Sequence, residues 1–80
     1  MVKLVKIKVK DKKLRKYYGY AYTKKKLVEI NKDVSDRTYL GTLIHELLHI
    51  FYPKESENSI SIKSSTITHH VLKLGSWKKK

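Results

Sequence analysis

Eighty residues make one small domain, 1–80, near the size at which apolar burial alone is marginal. The lack of cysteine excludes disulfides and thiolate-ligated zinc, and no apolar run is long enough to span a bilayer. Nineteen Lys and Arg against seven Asp and Glu give a net charge of +12, a field that draws polyanions and acidic partners. Much of that charge falls in alternating strand positions, in turns and in a basic tail at 75–80, where its simplest role is a solvated face. The N-terminal stretch alternates Lys with aliphatics and has no continuous apolar core of the signal-peptide kind, so a cytoplasmic protein is expected.

Val5, Ile7 and Val9 alternate with Lys6, Lys8 and Lys10, which reads as a half-buried strand. Val2 and Leu4 are out of that register, so a bulge or frayed start is expected there. Asp11-Lys12-Lys13 reads as a turn. Leu14 to Thr23 reads as a second strand, rich in tyrosine, with Gly19 marking a bulge or the close approach of another backbone. Leu27 to Asn31 is a third strand after the Lys24-Lys25 turn. Short connections in this order favour an antiparallel meander. The simplest role for the six tyrosines is packing on a thin sheet.

Residues 31–36 read as a loop, with Ser35 or Asp36 capping a helix that runs to Phe51 or Tyr52, where Pro53 stops it. Leu40, Leu43, Ile44, Leu47, Leu48 and Phe51 recur at helical spacing and form its apolar stripe. A second helix is expected from Ser56 to Leu74, ended by Gly75, with Ile60, Ile67, Val71 and Leu74 as its stripe. The Ser-Ile-Ser-Ile-Lys run at 59–63 also alternates like a strand. Trp77 either docks back or stays exposed. The fold class is therefore α+β: a three-stranded antiparallel sheet packed on one long helix and a second, C-terminal helix.

The first helix carries His45-Glu46-Leu47-Leu48-His49, an H-E-x-x-H motif, on the side away from its apolar stripe. Histidines four residues apart lie one turn apart on one face and can reach one metal ion. A carboxylate next to the first His can deprotonate a metal-activated water, which is the signature of zinc hydrolases. Catalytic zinc takes a third protein ligand. After the Pro53 turn a second helix begins close to His49, which makes Glu57, in its first turn, the leading candidate. Glu55, His69 and His70 are the alternatives. Imidazole and carboxylate ligands favour Zn2+ over Mg2+ or Ca2+.

The run from Thr42 to His49, with Pro53 four residues on and Glu57 eight residues on, resembles the minimal gluzincin and SprT-like metallopeptidases of phage and archaeal type. A Tyr-Gly pair at 18–19 and the Val-Glu-Ile strand before the helix fit as well, so the resemblance covers roughly 17–74. It implies a zincin-like fold with a small mixed sheet, His45, His49 and Glu57 as zinc ligands, and Glu46 as general base. It also implies that a peptide or protein substrate pairs with a sheet edge, which would be Leu27 to Asn31. Tyr39 and Tyr52 are weak candidates for oxyanion stabilisation. The segment after Glu57 departs from the family, being Ser-rich where small members are charged.

The function expected is a zinc metallopeptidase. The alternative is a basic nucleic-acid-associated module with a structural or vestigial zinc site. A latent enzyme, its cleft filled by the C-terminal tail, is a third reading.

Overall fold

A computed structural model describes residues 5–14, 17–75 and 77–78. The elements run β1 (Lys8–Lys12), β2 (Gly19–Tyr22), β3 (Leu27–Asn31), α1 (Asp36–Phe51) and α2 (Glu57–Leu74). The expected bulge at Val2 and Leu4 lies outside the described residues. So does the part of the expected second strand at 15–16.

The sheet is mixed, in the order β1-β3-β2, which corrects the antiparallel meander. β1 lies parallel to β3, with Val9 opposite Val28 and Asp11 opposite Ile30. β2 lies antiparallel to β3, with Gly19 opposite Ile30 and Ala21 opposite Val28. The reason is burial. Val28, Glu29 and Ile30 are all buried, so β3 needs a neighbour on each side. The lysine-rich β1 suits an edge, where charge is tolerated and discourages further pairing. β2 then lies two strand spacings, about 10 Å, from β1, a distance within the reach of a six-residue connection.

β1 starts later than expected and runs through the expected turn. The Lys8 N–H donates to the Lys26 carbonyl at 3.0 Å, and the Lys32 N–H donates to the Lys12 carbonyl at 2.9 Å. Ile7 packs on the core, whereas Val5 and Val9 are exposed. β2 begins at Gly19 rather than Leu14. A four-residue turn at 23–26 joins it to β3, closed by the Lys26 N–H on the Thr23 carbonyl at 3.3 Å. Lys26 takes a left-handed backbone there, φ 49°.

Ser35 caps α1, its Oγ accepting from the Thr38 N–H at 3.2 Å, and Asp36 sits in the first turn, where negative charge is favoured. The core against the sheet is Val28, Ile30 and Tyr39, with Leu43, Leu47, Ile50, Val34 and Trp77 packed around it. Tyr39 donates a short hydrogen bond to the Asp11 carboxylate, tying α1 to β1. Burial first, then that bond, pushes its hydroxyl up to about 12. The expected stripe is thus rotated: Tyr39 and Ile50 join it, and Phe51 is left exposed. The cause is that α1 is covered on two sides, by β2 and β3 on one and by α2 on another.

Ser56 caps α2 through the Ser59 N–H at 3.2 Å, so 59–63 is helix and not strand. Among the described elements α2 packs on α1 alone. Its buried face is Ile60, Ser64 and Thr68; of the expected aliphatic stripe Ile60 is buried, and Ile67, Val71 and Leu74 are exposed. Small hydroxyl residues let the helices approach, and their protons are satisfied locally. Ser64 Oγ donates to the Ser61 carbonyl at 3.1 Å and Thr68 Oγ1 to the Ser64 carbonyl at 2.6 Å. Beyond the helix, Trp77 docks back and stacks on Tyr39, with ring centroids 5.7 Å apart. No helix among the described residues is long and apolar enough to cross a membrane.

Candidate metal centre

One turn of α1 separates His45 from His49, and the Tyr52–Glu55 turn brings the start of α2 alongside them. The two Nε2 atoms lie 3.1 Å apart. One Glu57 carboxylate oxygen is 2.6 Å from His45 Nε2 and the other is 2.9 Å from His49 Nε2. Together the three residues offer ligand atoms all within 4.8 Å of one another, a group that can hold a metal ion. Nitrogen or oxygen ligands placed tetrahedrally at 2.0–2.1 Å from zinc lie about 3.3 Å apart. The Nε2–Nε2 separation is close to that, whereas the two Glu57 contacts, at 2.6 and 2.9 Å, are shorter and of hydrogen-bond length. The donor set, two imidazoles and a carboxylate, fits a borderline ion of the zinc type.

The alternatives to Glu57 are placed elsewhere. Glu55 accepts from Ser59 Oγ and from Lys63 Nζ on α2. The Lys63 ammonium, helped by Ser59, holds its carboxyl below the ordinary value. His69 and His70 sit exposed three turns further along α2, edge to face with each other.

A fourth residue, not foreseen from the sequence, completes the arrangement. His45 Nδ1 lies 3.2 Å from Ser64 Oγ. The Ser64 hydroxyl has one proton, and it is used on the Ser61 carbonyl. The bond to His45 is therefore one that Ser64 accepts from Nδ1–H. The Nδ1–H tautomer is the one that would present a bare Nε2 to a metal, while the 2.6 Å contact of Nε2 with Glu57 is that of an Nε2–H donor. A signal was present: Ser64 lies seven residues after Glu57, so both share a face of α2.

The centre sits in a groove between β2, α1 and α2. One part, about 590 Å³, runs toward the start of α1 past Thr42 and Arg37. The other, about 350 Å³, runs past His49 toward Pro53. Tyr17, Gly19, His45 and Glu46 line both. Gly19 is required by this geometry. A Cβ there would meet Thr42 Cγ2 at 2.5 Å, the Glu29 carbonyl at 3.0 Å and Glu46 Cγ at 3.3 Å. Burial pushes the Glu46 carboxyl up, with His45 and His49 pulling the other way.

Two expectations about substrate handling change. Leu27 to Asn31 is the central strand, paired on both sides, so it is not a free edge. β2 is the edge beside the groove. Tyr39 and Tyr52 do not line the groove, whereas Tyr17 and Tyr18 do. Of the 75–80 tail, residues 75, 77 and 78 are described, and Trp77 packs on the core and not in the groove. Compared with known protein families, curated proteins and solved structures, the chain matches none.

Proposed function

We propose that this chain is a zinc-dependent metallopeptidase in which His45, His49 and Glu57 hold the ion and Glu46 is the general base. The observation that carries the reading is the convergence of three ligand atoms in a groove that Glu46 also lines. Zinc held there would supply the Lewis acidity that polarises a peptide carbonyl and makes a water nucleophilic near neutral pH.

The chain's own groups do the rest. Glu46 takes the proton of the attacking water and delivers it to the leaving amine. A carboxyl raised by burial is better matched to that two-way transfer than an exposed one. Ser64 keeps the Nδ1 proton of His45 in place. An extended peptide adds to the edge of β2 that pairs with no strand among the described residues, whose backbone flanks the groove at Gly19 and Ala21. Gly19 keeps that strand free of a side chain above Glu46.

Glu46→Gln tests the reading, because it preserves shape and removes the base. The expected result is one zinc per chain, as in the parent, with hydrolysis of a dye-labelled casein reduced about 10²- to 10⁴-fold. Equal turnover by the variant would rule out this mechanism.

A further inference from the structure

The face of the sheet turned away from α1 meets the metal groove only at the β2 edge, where Tyr17 and Tyr20 also border the groove. Strand alternation assigns its residues. Val28 and Ile30 point to the core with α1, so Leu27, Glu29 and Asn31 point the other way. Register then puts Lys8 and Tyr22 beside Leu27, and Lys10 and Tyr20 beside Glu29. Among the described residues, no helix packs on this side.

The aromatic residues form a row. Tyr17 and Tyr20 have ring centroids 6.1 Å apart, and Tyr20 and Tyr22 4.9 Å apart. Tyr17 is 59% exposed and Tyr20 48%, so these rings are not core material. The expectation that the tyrosines serve packing holds for buried Tyr39 and in part for half-buried Tyr22, whereas Tyr17, Tyr18, Tyr20 and Tyr52 are exposed. The cations form a second row on β1, two strand spacings or about 10 Å away. Lys25 closes one end, its Nζ 5.8 Å from the Tyr22 ring.

One acid, Glu29, lies between the rows, and it is neutralised in place. Lys12 Nζ is 2.6 Å from one of its oxygens, and Tyr22 Oη donates to the other at 3.1 Å. The Lys12 ammonium holds this carboxyl below its ordinary value against the opposing effect of burial. Lys8 and Lys10 thus remain as cations beside an exposed aromatic ladder, on a chain of net charge +12.

We propose that this outer sheet face, continued round the β2 edge by Tyr17, binds single-stranded nucleic acid, with bases stacked on Tyr20 and Tyr17 and phosphates on Lys8, Lys10 and Lys25. Exposed rings beside a cationic track are what an unpaired strand uses, because its bases have free π-faces. A duplex hides those faces, and an acidic polypeptide would gain from the lysines but not from the rings. Tyr17 and Tyr20 border the metal groove, but the inference calls on none of the three candidate metal ligands.

Fluorescence anisotropy with a dye-labelled oligothymidine of about 12 nucleotides tests it, within the site sizes such platforms take. The single strand is expected to bind more tightly than a duplex of equal length, with affinity falling as salt rises. Tyr20→Ala should weaken binding roughly 5- to 150-fold, the equivalent of one stacked base, and leave the salt dependence unchanged. Tyr20→Phe should restore it. Lys8→Ala combined with Lys10→Ala should flatten the slope of log K against log salt by about 1.4, at roughly 0.7 per phosphate contact. Circular dichroism would confirm that each variant is folded. If duplex or polyglutamate binds as tightly as the single strand, or folded Tyr20→Ala binds like the parent, the proposal is overturned and the face is a general polyanion surface.

Discussion

The two helices carry similar parts and put them to different use. Each has a serine cap, an acidic residue in its first turn and a pair of histidines in edge-to-face contact. In α1 the pair is spaced by four and its nitrogens converge on a carboxylate and a hydroxyl. In α2 the pair is adjacent and exposed, far along the helix from Glu57. The sheet and α2 cover α1 on two sides, so its remaining side becomes the floor of a groove. α2 has one neighbour element, and its aliphatic residues Ile67, Val71 and Leu74 stay in solvent. A histidine pair becomes a site through what the fold sets around it.

The largest test of this contrast is to exchange the fates of the pairs. His49→Ala removes a direct ligand and should weaken zinc binding by more than the roughly 100-fold that outer partners are worth. His69→Ala and His70→Ala should leave it unchanged. Competition against a chromophoric chelator reads both, and equal losses from the two pairs would break the comparison.

Ser64 is α2's less obvious contribution to the α1 pair. Ser64→Ala should cost about 10- to 100-fold in zinc affinity with Glu57 intact, since the Nδ1 proton loses its acceptor. The same competition experiment measures it. No loss would mean that the tautomer of His45 is set without α2.

The glycines sharpen the picture of how closely α1 is enclosed. Gly19→Ala should destabilise by about 1–3 kcal/mol, because the new methyl meets a side chain and a backbone carbonyl at once. Gly41→Ala should stabilise by about 0.5–1 kcal/mol, since it relieves helix entropy. Its Cβ would meet only Thr68 side-chain atoms, at 3.6 and 3.8 Å, which is ordinary contact. Urea unfolding of the two variants decides the signs. A stabilising Gly19→Ala with a destabilising Gly41→Ala would mean that α1 is held more tightly against α2 than against β2.

Helix limits and the grouping of His45, His49 and Glu57 were legible because their signals are local. Ser35, Ser56 and Pro53 act within a turn of themselves, and His45 to Glu57 spans a single helix–turn–helix unit. Strand order was not legible, because it turns on a distant pairing. Glu29 looks like a solvent-side residue until Lys12 and Tyr22 are seen to satisfy it in a buried place. Without that, nothing marks β3 as the centre or β2 as the edge beside the groove. Ser64 and Thr68 were overlooked for a related reason. Hydroxyl residues within a helix read as surface, yet here they bond their own backbone and face α1. The tyrosines misled in the opposite direction, being aromatic and still mostly outside.

The central claim is that one ion bridges the two helices through His45, His49 and Glu57. Isothermal titration of the metal-free protein with zinc, alongside Glu57→Ala, tests it most directly. The account predicts one zinc per chain in the parent, a gain in thermal stability on binding, and loss of most affinity and of that gain in the variant. Undiminished binding by Glu57→Ala, or no binding by the parent, would contradict it.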